Sequence, residues 1–167
     1  MARPEELRVE VASPDDRIAI AHLNVWAYRE YAFDLGAELW PVLVKELTAV
    51  GPAAETATLL VVREHGDLVG SAAYRPPGSS VSPVPAAWAS VDLLAVSPDA
   101  RHRGVATALV LECLERAAAD RAPALGAGVK GYMAAAQELF TRLGFHREQG
   151  LAKRDEQPYW LYRRQLG

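Results

Sequence analysis

Two stretches of this chain hold residue types that could do chemistry. The first is Arg101-His102-Arg103-Gly104, which follows an apolar run ending at Val96 through Ser97-Pro98-Asp99-Ala100 and precedes a long helical pattern. The first turn of a helix has backbone N–H groups without intrahelical partners and a partial positive charge, so it attracts anions. A glycine at 104 lets a ligand approach the backbone where a side chain would block it, and Arg101 and Arg103 add full charges suited to phosphate oxygens. His102 either touches such a phosphate or faces water. The second stretch is Val91-Asp92-Leu93-Leu94-Ala95-Val96, where one acidic residue interrupts an apolar strand. A carboxylate there needs a partner. Either it acts as a base or a cation anchor, or a neighbouring loop satisfies it.

The other reactive residue types offer less. His22, His65, His102 and His146 are scattered without metal-ligand spacing, so no metal is expected. Cys113 is the single cysteine and cannot form an internal disulfide; it shares a helical stripe with Leu109 and Ala117, as a packed core thiol or as a reactive one. Trp26, Tyr28, Arg29, Tyr31 and Trp40 cluster near the N-terminus, where aromatics at helical spacing form core or contact a substrate. Trp88 and Trp160 read as core.

These residues need a scaffold. Residues Arg8 to Ala12 read as a strand, and Ser13-Pro14-Asp15-Asp16 supplies a helix cap with proline at the first helical position. The spacing of Ile18, Ala21, Val25, Tyr28 and Ala32 predicts one buried helix face, and Gly36 allows a break before a second helix through Leu39, Val42, Leu43 and Leu47. Ala57 to Arg63 and Leu68 to Arg75 form a predicted hairpin around His65-Gly66-Asp67. Pro76 to Pro85, with four prolines, one glycine and three serines, is expected to be a surface loop. Beyond it come a strand from Trp88 to Val96, a helix from Val105 to Arg121 and a strand from Ala124 to Val129. A short helix from Tyr132 to Leu143, closed by Gly144, precedes strands over Phe145 to Gly150 and Tyr159 to Arg164. The expected fold is a single α/β (α+β) domain over residues 1–167. Its twisted, mixed and mostly antiparallel sheet has about six to seven strands, flanked by about four helices.

The run Val96-Ser97-Pro98-Asp99-Ala100-Arg101-His102-Arg103-Gly104-Val105-Ala106 resembles the acetyl-coenzyme A signature of the GNAT superfamily of N-acetyltransferases. The pattern, Val-x-Pro-x-x-Arg/Gln-x-x-Gly-x-Gly/Ala, is met at every defined position. Leu143-Gly144-Phe145 is similar to the second hallmark of that superfamily, and the order of elements matches along nearly the whole chain. The resemblance implies acetyl-CoA as cosubstrate, with no metal. It implies that the main chain of Leu94, Ala95 and Val96 hydrogen-bonds the pantetheine arm, at a strand usually splayed by a bulge. It implies too that amides of Arg101, His102, Arg103, Gly104, Val105, Ala106 and Thr107 hold the pyrophosphate.

The implied reaction is attack of a neutral amine on the thioester carbonyl, which needs a proton acceptor because an alkylamine of pKa about 10 is mostly ammonium at neutral pH. It also needs a donor to the oxyanion, by resemblance the Leu94 N–H. Ser90 stands where many relatives have a glutamate, and Asp92, two residues on and so on the face of Ser90, Leu94 and Val96, is the catalytic candidate. Phe140 occupies the place beside the cofactor where a tyrosine usually acts as acid, and Met133 that of a common asparagine. The thiolate is then protonated by water, or Tyr132 substitutes. The acceptor is expected to be a small-molecule or peptide amine. The alternative is a catalytically silent acyl-CoA-binding sensor or partner module, and transfer from a longer thioester is a third reading.

Composition narrows the partners. Half of the 167 residues are apolar, enough for a core without disulfides. A formal charge of −3 and no basic arm argue against nucleic acid. The N-terminus lacks a signal-peptide pattern and no apolar run approaches the roughly 20 residues that span a bilayer, so a cytoplasmic protein with no membrane partner is expected. Homodimer pairing through the C-terminal strand is common in proteins with this resemblance.

Overall fold

In the computed structural model, which describes residues 7–148, 152–154 and 157–167, strand β1 (Val9–Val11) leads through Ser13 into helix. Pro14–Asp16 forms one 3-10 turn, with the Ser13 N–H donating to the Asp16 carboxylate at 2.9 Å, and helix α1 follows as Arg17–Tyr28. Its buried face differs from the expected one. Ile20, Leu23, Asn24 and Ala27 point inward, whereas Ile18 is 76 % exposed. The helix is apolar on most sides, so two stripes compete, and the one that wins contains a polar residue. Fully buried Asn24 donates through Nδ2 to the Leu47 carbonyl at 3.0 Å and accepts from the Ser71 hydroxyl at 3.2 Å. With both ends of its amide satisfied, burial costs it little.

A 3-10 turn at Arg29–Tyr31 joins α1 to α2 (Ala32–Thr48), which is broken at Gly36 with φ 74° and ψ −175°, a conformation suited to glycine. A short helix α3 (Val50–Ala54) that spacing does not predict follows. Strands β2 (Thr58–Glu64) and β3 (Asp67–Arg75) are joined by His65 and Gly66, both at positive φ, as in a two-residue hairpin turn. Then come β4 (Ala89–Val96), a 3-10 turn at Pro98–Ala100, α4 (Val105–Ala119), β5 (Ala124–Lys130) and α5 (Ala134–Arg142). Three strands complete the chain, β6 (His146–Arg147), β7 (Ala152–Arg154) and β8 (Gln157–Gln165).

The strands order as β1-β2-β3-β4-β5-β8-β6, with β7 paired to β8. The β4–β5 pairing is parallel; β1–β2, β5–β8, β6–β8 and β7–β8 are antiparallel, the mixed and mostly antiparallel sheet expected. Among the described residues the count reaches eight, because β7 is too short to leave a pattern in sequence. The strand expected over 145–150 is reduced to His146–Arg147, and residues 149 and 150 lie outside those described. Among the described residues no helix is long and apolar enough to cross a membrane.

By its internal contacts the chain forms two compact units, Met1–Ala73 with Leu93–Val110, and Tyr74–Asp92 with Leu111–Gly167. In the first, Ile20 packs with Val50, Leu59, Val61 and Ala73. In the second, Phe140 meets Phe145 edge-on at 5.0 Å and Tyr162 at 6.1 Å between ring centroids, and the Tyr74 hydroxyl donates to Asp120 at 2.6 Å. The proline-rich segment is more than a surface loop. Val84 is 7 % exposed and lies over Gly126, where an added Cβ would come within 2.7 Å of its Cγ1.

Asn24→Ala strands the Leu47 carbonyl and the Ser71 hydroxyl in the core and should cost about 2 kcal/mol in urea unfolding. A loss below about 0.5 kcal/mol, the range of an indifferent surface change, would mean that the Asn24 bonds do not set the phase of α1.

Candidate active site

The turn from β4 into α4 is built in the first unit. Val105, 1 % exposed, sits on β3 at Gly70, where any Cβ would collide with its Cγ1, so a glycine on the strand lets the helix start close to the sheet. Gly104 holds φ 81°, and a Cβ there would meet Leu7 Cδ1 at 3.8 Å, an ordinary van der Waals contact and no clash. Helical bonding begins with the Ala108 N–H donating to the Gly104 carbonyl at 2.9 Å. The N–H groups of Val105, Ala106 and Thr107 therefore lack acceptors within the helix. A glycine beside three such donors at the start of a 15-residue helix suits a pyrophosphate.

The two arginines do something other than point into open space. Arg101 donates through Nη2 to the Ala27 carbonyl at 2.7 Å and through Nη1 to Glu30 at 2.9 Å. Arg103 donates to the Asp99 carbonyl and pairs with Glu64, both at 3.0 Å. Their guanidinium forks thus clamp the loop to α1 and to β2, and two carboxylates offset their charge. A phosphate at this turn would be held chiefly by backbone. His102, at φ 63°, is exposed.

Within β4, Leu93 adopts φ 51°, left-handed and uncommon for a leucine. Such a residue interrupts the two-residue alternation, so the face shared by Ser90 and Asp92 does not continue by simple counting to Leu94 and Val96. The Tyr28 hydroxyl, from the last residue of α1, donates to the Leu94 carbonyl at 2.6 Å. Beside it Tyr31 has its phenol pushed up to about 12, first by burial and then by Glu30, so it is protonated at neutral pH.

Asp92 belongs to the second unit. Its Oδ2 accepts from Arg75 Nε at 3.0 Å, while its Oδ1 is buried without a hydrogen-bond partner among the described residues. Desolvation raises its pKa, and the pull of Arg75 in the other direction does not cancel that. The partner is a strand arginine and not a loop, and it satisfies half of the carboxylate. The β4–β5 ladder in this unit consists of two pairs, Ala89↔Leu125 and Ser90↔Gly126. Phe140 is buried at 3 % exposure, Met133 caps α5, and Tyr132 lies in the turn before it. Fully buried Cys113 has its thiol pushed up to about 12 by desolvation, which describes a packed, unreactive sulfur. Among the described residues no group of three or more His, Cys, Asp or Glu could hold a metal ion.

Arg75, Tyr28 and Glu30 escape sequence reading in these roles. An arginine closing a strand just before an acidic strand was the one available signal for Arg75, and the intervening proline-rich segment hides the register. Nothing local marks Tyr28 as a partner of a residue 66 positions away.

The family model of the acetyltransferase (GNAT) family matches residues 20–145. No curated protein matches the chain. Among solved structures, a GCN5-related N-acetyltransferase from Rhodopseudomonas palustris, also described as a class II aminotransferase, superimposes with a TM-score of 0.75 at 17 % identity, over 99 % of each chain. The PaiA N-acetyltransferase of Thermoplasma acidophilum, in complex with coenzyme A, gives 0.72 at 12 % identity, over 93 % of this chain and 98 % of the other. A ribosomal-protein-alanine N-acetyltransferase from Brucella melitensis gives 0.68 at 20 % identity, over 96 % of this chain and all of the other.

The raised pKa of Asp92 carries a signed prediction. A carboxyl that ionises later in the folded than in the unfolded chain contributes stability below the unfolded value, near 3.9, and loses it as pH rises toward the folded value. Asp92→Asn removes that loss, so its stability relative to the parent should improve as pH rises from about 4. Denaturant unfolding of both proteins across that range checks it, and parallel pH profiles would refute it.

Proposed function

The chain belongs to the acetyltransferase (GNAT) family, and from that premise we propose that it is a single-domain N-acetyltransferase carrying acetyl from acetyl-CoA to a primary amine of a small molecule or peptide, in the cytoplasm. The observation that carries the reading is the α4 start. Gly104 carries no side chain beside the turn at φ 81°, and the amides of Val105, Ala106 and Thr107 have no acceptor within the helix, which supports a pyrophosphate site there. The bound coenzyme A of the Thermoplasma relative, on the same fold, supports it.

Acetyl-CoA supplies the activated acyl group as a thioester. The chain's own part has four elements. Backbone at Arg101 to Thr107 fixes the pyrophosphate, and backbone at Leu94 and Val96 aligns the pantetheine, the Ala95 carbonyl lying on the β3 side by Gly70. The Leu94 N–H donates to the carbonyl oxygen as it gains charge, where a preorganised donor is worth several kcal/mol. Asp92 Oδ1, a buried acceptor with no protein partner among the described residues, takes a proton from the amine through water. A carbon–nitrogen bond forms as the carbon–sulfur bond breaks, and the departing thiolate takes its proton from water, since Phe140 has no hydroxyl to give. A thiolate of ordinary pKa near 8.5 leaves well enough without an acid.

Calorimetric titration with acetyl-CoA and with CoA, followed by thiol release against a panel of amines, tests the whole reading. Micromolar binding with amine-dependent release is expected; binding without release would favour a silent acyl-CoA sensor, and no binding would defeat the site. Gly104→Asp places a carboxylate where the pyrophosphate belongs, and acetyl-CoA affinity should fall at least about 100-fold, by about 3 kcal/mol, with the fold retained. Asp92→Asn should lower kcat by about 100-fold, in the range of a lost general base, with acetyl-CoA binding little changed. A raised KM for the amine at constant kcat would instead make Asp92 a cation anchor.

A further inference from the structure

The Ser97 N–H donates to the Val69 carbonyl at 2.8 Å, so at the end of β4 the odd-numbered residues turn their backbone groups toward β3. Successive residues of an extended strand turn N–H and C=O to opposite edges, which sends those of Leu94 and Val96 to the edge away from β3. On that edge the Leu94 carbonyl meets the Tyr28 hydroxyl at 2.6 Å. An extended residue sends its N–H and C=O the same way, so the Leu94 N–H leaves on the Tyr28 side as well. The peptide that carries this N–H follows Leu93, whose left-handed φ of 51° is a strained conformation that persists only when its surroundings hold it.

Tyr28 is itself held firmly. Arg101 binds the Ala27 carbonyl at 2.7 Å and Glu30 at 2.9 Å, one residue before Tyr28 and two after it, and the Tyr28 ring lies 6.0 Å from that of Tyr31. The hydroxyl thus reaches Leu94 from a fixed helix end.

We propose that Tyr28 is a positioning residue for acyl transfer, its hydroxyl holding the Leu94 carbonyl so that the N–H of the same residue stays aimed at the thioester oxygen. This rests on the reading of Leu94 as the oxyanion donor. Tyr28→Phe keeps the ring and its packing and removes only the hydroxyl. The loosened donor should lower kcat about tenfold, less than the 100-fold or more of losing a donor outright, with the acetyl-CoA dissociation constant unchanged within about twofold.

A direct readout is the infrared carbonyl stretch of bound acetyl-CoA labelled with carbon-13 at the carbonyl, in difference spectra against the unlabelled compound. Hydrogen bonding by Leu94 moves the stretch to lower frequency in the parent enzyme, and most of that shift should vanish in folded Tyr28→Phe at saturating ligand. If the parent shows the shift and Tyr28→Phe keeps it, Tyr28 has no positioning role while the Leu94 donor stands. A parent enzyme that binds acetyl-CoA without any shift removes the donor itself, and the proposal with it. The measurement needs no knowledge of the amine.

Discussion

The β4–β5 ladder consists of the pairs at Ala89 and Ser90, so the far end of β4 is secured by other means. The bond from the Tyr28 hydroxyl to the Leu94 carbonyl is the central one. Around it, Ser97 is tied to Val69 on β3, and Arg101 grips the end of α1 from the loop that follows. Val105 presses on Gly70, which fixes where α4 begins. Each of these contacts satisfies a group or fills a space without occupying the amides at the helix start, as the proposed anion site would require.

Charge is distributed to the same end. Arg101 and Arg103 look from their spacing like phosphate ligands, yet their forks are engaged by Glu30, Glu64 and two carbonyls. They stiffen the loop, and in the site proposed here recognition would fall to backbone dipoles, which cannot swing away. Asp92 is treated in the opposite manner. One of its oxygens is bound by Arg75 and the other is left buried without a protein donor among the described residues, so its burial remains only partly compensated.

Local signals with local causes were legible in the sequence. The cap at Ser13, the break at Gly36, the turn at His65-Gly66 and the β4–α4 signature each depend on a few adjacent residues whose backbone preferences suffice. Features set by partners far along the chain were not. The phase of α1 turns on Asn24, a polar residue that is cheap to bury only because Leu47 and Ser71 receive it. Alternation in β4 fails at Leu93, where no glycine or proline announces the left-handed backbone. Arg75 and Tyr28 become legible only once distant strands and helices are brought together.

The buried state of Cys113 has a consequence for the protein's redox life. Coenzyme A is a thiol, and a transferase of the kind proposed would release it beside its own surface at every turnover. Thiol–disulfide exchange needs a thiolate that can be reached, and the sole sulfhydryl of this chain is neither exposed nor readily ionised. Mixed disulfides with oxidised coenzyme A, which would cap a surface cysteine under oxidative stress, have no purchase on the folded protein.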